Sequence, residues 1–458
     1  MKFNQMNRMA NWVWLMSAAF IMGLIACSDG NESKHATGQT TGKLTDASAV
    51  SGVTYSTSSK MAGITDASGI YNYNHGDMVE FKLGSLILGN VKAAAIVTPI
   101  DLAGDNNTRL QNLLVLLQSL DSDNDPGNGI SIPANAADAV SASINLDSDP
   151  TAFVTSPALQ SVRQAGGIAG EVKTVAEAKA HFLTQAMSLL STDVWVKYDD
   201  RTATVVRMSV SNPGEYLFGE ATPDDPCDIN LVCGSKTISR AGVEYGEGSV
   251  PEFDTRGFKF IGAPTIDTNL QAGLSHLRPD WRIYTDGFEL ITTDIVVAPR
   301  EREQSSLFGE LFHIAKPLKL SSSKEPIKTM IKEVRFSKMD NISSGIVGAW
   351  VLDKAAIKTQ TFLFFSNGKY LMVDPIGDLN REGHESCGDP GIEFSSYVHD
   401  ATTNKLKLKG FTYNTNGCAG FSDNDPTTFG VDADGNIATL ETKSGSSYIL
   451  HRVSKGNL

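Results

Sequence analysis

The 458-residue chain has no extended run of Lys and Arg, and its formal net charge is −13. Phosphate recognition needs clustered basic side chains, so nucleic acid is excluded as an expected partner. Catalytic signatures are also missing. There is no Gly-x-Ser-x-Gly elbow, His-Glu-x-x-His helix, phosphate-binding P-loop or Cys-x-x-Cys-His haem site. The glycine-rich "GGIAG" (Gly166–Gly170) lacks the preceding strand that a dinucleotide fold requires and reads as a loop. Ser275 and His276 are adjacent in sequence, a spacing that rarely gives triad geometry. No catalysis is expected, and no cofactor other than a metal at one acidic loop considered below. Cysteine is scarce, at five residues.

What is present describes folded material. Hydrophobics at 41% and charged residues at 20% fit neither disorder nor a membrane bundle. The length suits about three domains of ordinary size.

The amino terminus, "MKFNQMNRMANWVWLMSAAFIMGLIAC", has Lys2 and Arg8 ahead of an apolar run from Trp12 to Ala26, too short to span a membrane comfortably as a permanent helix. Its end, Leu24-Ile25-Ala26-Cys27, resembles the lipobox of bacterial lipoproteins. The resemblance implies cleavage before Cys27, acylation of its thiol with diacylglycerol and of its amine with a third chain. Several acyl chains at ~0.8 kcal/mol per buried CH₂ anchor stably. Ser28 after the cysteine is compatible, by the same resemblance, with the outer membrane of a Gram-negative envelope. Residues 1–26 are then a signal peptide. Residues 27–50, polar and rich in Gly, Ser and Thr, are a flexible tether with a reach of about 25 Å.

From residue 51 to 191 the pattern changes. Alternating apolar and polar residues between glycine-bearing turns predict antiparallel strands. In "TDASGIYNY" (Thr65–Tyr73) a turn leads into a strand with Ile70 on one side and Tyr71 and Tyr73 on the other. This resembles the turn of transthyretin-like, carboxypeptidase-regulatory-like β-sandwich modules. The stretch through "LLQSLDSDNDPGNGI" is also similar to the amino-terminal regions of uncharacterised Gram-negative lipoproteins. Two helices follow from helical spacing. One carries Leu110, Leu113, Leu114 and Leu117 on one face. The other opens with a Thr174/Glu177 capping box and turns Val175, Ala178, Phe182 and Leu189 inward. His181 has no ligand-type neighbour one turn away. In "DSDNDPGNG" Asp121, Asp123 and Asp125 alternate as in calcium loops. However, an EF-hand starting there would have Ile132 at its bidentate position and Pro126 in place of glycine. Calcium is weighed against a plain acidic loop that ends a helix.

The rest of the chain says the same thing twice. "IDTNLQAGLS" (Ile266–Ser275) returns as "YNTNGCAGFS" (Tyr413–Ser422). In register around it, Trp195 meets Trp350, Gly214-Glu215-Tyr216-Leu217 meets Gly368-Lys369-Tyr370-Leu371, and Gly242-Val243-Glu244-Tyr245 meets Gly391-Ile392-Glu393-Phe394. The spacing drifts only in polar stretches, where loops accept insertions. This is a tandem duplication of a unit of roughly 110 residues, placed at 192–342 and 343–458. Hairpins around Asn-Gly and Asp-Gly predict small closed antiparallel barrels or sandwiches. Glu244 and Glu393 recur at matching places and are expected to accept backbone N–H bonds at a barrel mouth rather than to act in acid–base chemistry.

Gly348-x-Trp350 resembles the first strand of lipocalin-type barrels, which implies a last-strand arginine stacked on the tryptophan, here Arg452 in "YILHRV". The first copy has Asp193 for the glycine, and "LFGELFHIAK" offers His313 as its last-strand residue. The fold class expected is therefore mainly β: an amino-terminal sandwich with a few helices, then two lipocalin-like barrels. The function expected is a membrane-anchored binding, adhesion or structural module of the envelope, facing an envelope protein or polysaccharide. The alternative is a carrier of small lipophilic ligands.

In an oxidising compartment the remaining cysteines should pair. Cys387 and Cys418 would close about 32 residues, worth up to ~3.7 kcal/mol. In the first copy Gln271 replaces the second cysteine, and Cys227 offers Cys233 a local loop worth ~2.4 kcal/mol. A bridge between copies, Cys233–Cys387, is the rival, and zinc a weaker one. As for the anchor, intact-mass analysis should find a mature chain beginning at acylated Cys27, and Cys27→Ala should release it from the membrane. An unmodified Cys27 would refute anchoring.

Overall fold

A computed structural model describes residues 37–458 except 192, 210–212, 223–224, 227–236, 239–240, 270–272, 278–279, 285–288, 298–328, 343–344, 353–355, 378–387, 418–419 and 454–458. The lipobox and all five cysteines lie outside the described residues.

The amino-terminal domain packs two small sheets. In one, Gln39–Leu44 runs between Ile70–Asn74 (antiparallel) and Ile96–Val97 (parallel). The other orders Ala62–Ile64, Thr54–Thr57, Met78–Leu83 and Leu86–Lys92. Regular structure thus begins inside the stretch read as tether. Polar composition hid a strand whose outer face is solvated and whose Leu44 is fully buried. The period-two reading of "IYNY" holds: Tyr71 and Tyr73 are buried and Ile70 is not. Tyr71 meets Phe81 edge-on at 5.1 Å and Tyr55 at 5.7 Å, which joins the two sheets through aromatic contacts. In the turn before it, Asp66 Oδ1 accepts from Ser68 N–H at 2.8 Å and Ile70 N–H at 2.9 Å, and Gly69 takes a φ of +76° that side chains resist.

Both expected helices form. Asn107–Ser119 buries Leu110, Leu113, Leu114 and Leu117. Val175–Ser191 starts with the Thr174/Glu177 capping box, with Glu177 N–H on Thr174 Oγ1 at 3.2 Å and Thr174 N–H on Glu177 Oε2 at 2.8 Å. Shorter helices lie between them at Ala134–Ala139, Pro150–Val154 and Pro157–Ala165. Among the described residues, no helix is long and apolar enough to cross a membrane.

Each repeat closes into an eight-stranded barrel. The strand order is sequential in both, and the last strand pairs back on the first: Trp195 faces Lys338 and Trp350 faces Arg452. Five barrel strands, one short helix and three barrel strands recur in that order, the first copy adding a two-stranded sheet of Asp225–Pro226 and Thr237–Ile238, so the duplicated sequence is a duplicated topology. The closing strand of the first barrel is Thr329–Lys338, which corrects the placement in "LFGELFHIAK". Closure demands a residue opposite Trp195, and Lys338 occupies that register; His313 lies outside the described residues.

Two contacts tie the parts together. Phe182 of the long helix meets Phe253 edge-on at 5.0 Å and stacks on Phe258 at 5.5 Å in the first barrel, extending the sandwich core into that barrel. The outer walls of the barrels share a second core, in which Val205, Leu217 and Val243 meet Leu363, Leu371 and Ile392. Tyr198 stacks on Phe365 at 4.2 Å beside it. Within this seam Arg207 is 1% exposed and donates from Nη1 to Thr361 Oγ1 at 2.9 Å. Burial alone lowers its guanidinium to about 10.

Candidate functional site

The constellation that recurs is the barrel mouth, so its chemistry is traced in both copies. Glu393, in the strand Gly391–Asp400, is fully buried. It accepts Phe421 N–H at 2.8 Å, Ser422 N–H at 3.0 Å and the Tyr370 hydroxyl at 3.3 Å. Phe421 and Ser422 open the short helix Phe421–Asn424, so the carboxylate receives N–H groups that a helix start leaves unpaired. Glu244 repeats the arrangement, accepting the Tyr216 hydroxyl at 2.5 Å and Ser275 N–H at 2.9 Å, under the helix Leu274–Leu277.

The repeated phrase is the other half of this lock. Thr268 Oγ1 accepts Val243 N–H, and Thr415 Oγ1 accepts Ile392 N–H, each at 2.9 Å. Asn269 and Asn416 are fully buried. Gly273 and Gly420 lie so close to the glutamate carboxyl that a methyl group at either would collide with it. In the second copy Gly420 also has a φ of +101°. The Gly and Ser of the phrase are therefore constrained by the glutamate, and the Thr by the backbone N–H of the residue before that glutamate. The cysteine position of the phrase, Cys418 in one copy and Gln271 in the other, lies outside the described residues.

Burial pushes the Glu393 carboxyl above its ordinary range, while the Ser422 and Phe421 donors pull it down. The stabilisation this gives is complete below the ordinary value of 4.5 and is lost as pH rises through the raised folded value. Burial and the neighbouring Glu393 push Tyr370 well above 10, so it remains a hydroxyl donor. Among the described residues Ser275 Oγ has no hydrogen-bond partner, and its backbone N–H, rather than its hydroxyl, engages the site. What the arrangement does chemically is close a barrel.

At the opposite position along the fold, the Trp350 indole is fully buried and donates to Ile346 C=O at 2.8 Å. The Arg452 guanidinium lies 4.1 Å from its ring centroid and donates to Val347 C=O at 2.7 Å and Gly345 C=O at 2.6 Å. Gly348 is needed because a side chain there would run into Arg452. The first barrel solves the same problem with different groups. Trp195 donates to Leu190 C=O at 2.8 Å, and Lys338 Nζ sits 5.9 Å from its ring centroid. Lys338 also pairs with Asp193 at 2.5 Å. A slimmer ammonium leaves room for a side chain at the glycine position, and that side chain supplies its counter-ion.

Between mouth and floor the second barrel is filled. Phe421 stacks on Phe362 at 4.9 Å and on Tyr370 at 5.1 Å, and Phe429 meets Trp350 and Phe364, each at 5.2 Å. Tyr370 and Phe421 were not singled out from sequence, although Tyr216 and Tyr370 stand at matched places in "GEYL" and "GKYL" and could have been found there.

The acidic loop uses its carboxylates on itself. Asp121 Oδ1 accepts Ser131 N–H at 2.9 Å, Asp123 accepts Asp125 N–H at 3.0 Å and Asn128 Nδ2 at 2.8 Å, and Asp125 accepts Gly127 N–H at 3.2 Å. Among the described residues, no three His, Cys, Asp or Glu side chains gather closely enough to hold a metal unaided.

The fold and sites define a mainly β protein with two tandem closed barrels behind an amino-terminal sandwich. No protein-family model and no curated protein matches the chain. Among solved structures, a DUF4847 family protein from Bacteroides vulgatus aligns with 22% of this chain at 13% identity and a TM-score of 0.15. The aligned part spans 64% of that protein, under two thirds of its length, and a likeness of this size carries no argument.

Trp350→Ala should cost ~3–5 kcal/mol in denaturant unfolding, because it empties the floor and strands the Arg452 guanidinium. A change below ~1 kcal/mol would contradict the structural role given to this pair.

Proposed function

We propose that this chain is a membrane-anchored envelope lipoprotein, held through acylated Cys27, whose barrels serve as binding, adhesion or structural modules without catalysis. One observation carries the choice over a ligand carrier: Trp350, Phe362, Phe364, Tyr370, Phe421 and Phe429, each at most 3% exposed, fill the second barrel. Carriers of lipophilic molecules keep an apolar cavity of several hundred Å³. Here a ligand would have to displace Phe421 and the cap that Glu393 holds. Recognition is then left to outer surfaces. Partners fitting an acidic chain of this kind are envelope proteins or polysaccharide rather than nucleic acid. The shared core between the barrels supports their acting as one rigid module.

Native mass spectrometry of the protein extracted from its own membrane tests this reading. The expected spectrum carries the acyl chains of the anchor and no further lipophilic molecule in stoichiometric amount. A retained apolar ligand of a few hundred daltons would overturn it in favour of the carrier.

A further inference from the structure

On the outer wall of the second barrel this acidic chain sets basic side chains in a line. In the strand Lys405–Asn414, Leu406, Leu408 and Phe411 pack toward the barrel interior. Alternation then places Lys405, Lys407 and Lys409 outward, and all three are exposed. Gly410, with a φ of +61°, is the extra residue of a bulge opposite Ser395 and Ser396, and it ends the line at Lys409. Side chains two residues apart on a strand stand about 7 Å apart, so the line is about 14 Å long. Among the described residues, none of the three ammonium groups has a carboxylate or other hydrogen-bonding partner.

The neighbouring strands do not neutralise this charge. Lys409 stands opposite Ser396, Lys407 opposite Val398 and Lys405 opposite Asp400. Asp400 turns its carboxylate into its own hairpin, accepting Thr402 N–H at 2.9 Å and the Thr403 hydroxyl at 2.7 Å. On the other side Lys405 faces Thr428, whose hydroxyl donates to Glu441 at 3.0 Å. Lys369 adds a fourth ammonium at one end, donating to the Ser396 hydroxyl at 3.1 Å. Lysine on a strand edge also discourages pairing with another chain. The first barrel shows that this role does not require it here. Its strand Gly257–Asp267 is paired with the next strand over a similarly short stretch. Counted from the matched residues Tyr245 and Phe394, Ile261 and Ala263 occupy the registers of Lys407 and Lys409.

We propose that this stripe binds a linear anionic polysaccharide, whose carboxylate or phosphate groups lie along Lys405, Lys407 and Lys409. The inference deepens the binding-module reading and rests on it. The shape of the charge selects the partner. The stripe is one strand wide, with Asp400 and Glu441 at its flanks. A polymer chain fits that width, whereas a planar anionic membrane would meet repulsion on both sides. Lysine offers a point charge on a flexible stem, which suits a polymer of variable conformation better than a rigid fork does. Single-stranded nucleic acid needs aromatic platforms for its bases, and the aromatic residue further along this face, Tyr413, packs into the seam between the barrels.

Biolayer interferometry of the detergent-solubilised full chain against polygalacturonate and dextran phosphate tests the proposal, with neutral dextran as the blank. Saturable binding to an anionic polymer, weakening as salt rises, is expected. The triple variant Lys405→Glu, Lys407→Glu, Lys409→Glu should bind at least tenfold more weakly. A control triple, Lys60→Glu, Lys92→Glu, Lys197→Glu, makes the same charge change at exposed sites elsewhere and should bind as the wild type does. Circular dichroism verifies folding, and Lys405→Gln, Lys407→Gln, Lys409→Gln gives the same readout should the charge reversal upset it. No saturable binding to either polymer, or equal loss in the stripe and control triples, would overturn the site. Tighter stripe-dependent binding to phosphatidylglycerol vesicles or to single-stranded DNA would overturn the polysaccharide as partner. Native mass spectrometry decides the binding-module reading separately, so failure here leaves that reading in place.

Discussion

A glutamate carboxylate placed where water cannot reach it needs donors, and in both barrels the chain is arranged to supply them. Glu393 takes two helix-start N–H groups and a tyrosine hydroxyl; Glu244 takes one N–H group and a tyrosine hydroxyl. Removing the glutamate would leave its donors without an acceptor, which costs more than the bonds contribute. The glycine of the repeated phrase and the aromatic residue beneath the cap follow from that requirement, and the threonine clips the phrase to the neighbouring strand. The cap positions Phe421, and Phe421 stacks on Phe362 and Tyr370 across the interior. The mouth and the filled core are therefore one structure.

The floors show how far the copies have diverged under the same constraint. Each buried tryptophan needs an acceptor for its N–H and a cation over its face. Arg452 with Gly348 meets this in one barrel, and Lys338 with Asp193 in the other. Arginine satisfies three backbone carbonyls as well, those of Gly435, Val347 and Gly345, so it demands the glycine; lysine does not. The outer walls have specialised differently from the interiors. They turn apolar residues toward each other and bury Arg207 between them, so the pair of barrels shares a core that neither would have alone.

Much of this was legible in the residues. Period-two alternation placed Tyr71 and Tyr73 inward, helical spacing placed the leucines of Asn107–Ser119, and matched blocks announced two copies of one topology. Gly348, Trp350 and Arg452 were readable through the resemblance of Gly-x-Trp to a known barrel motif, which implies the arginine partner. The matched glutamates were recognisable, but their partners were not, because a backbone N–H leaves no trace in residue identity. The first strand was hidden by its polar solvent face. The closing strand of the first barrel was misplaced because a long insertion separates Lys338 from the rest of its repeat, and "LFGELFHIAK" has enough apolar residues to be read as the last strand.

The central claim is that the buried glutamate holds the barrel closed. Glu393→Ala, followed by denaturant unfolding and by amide hydrogen exchange, tests it most directly. The account predicts a loss of at least ~2 kcal/mol, because three buried donors lose their acceptor. Protection should fall first at the amides of Phe421 and Ser422. A loss below ~0.5 kcal/mol, with those two amides as protected as before, would contradict it.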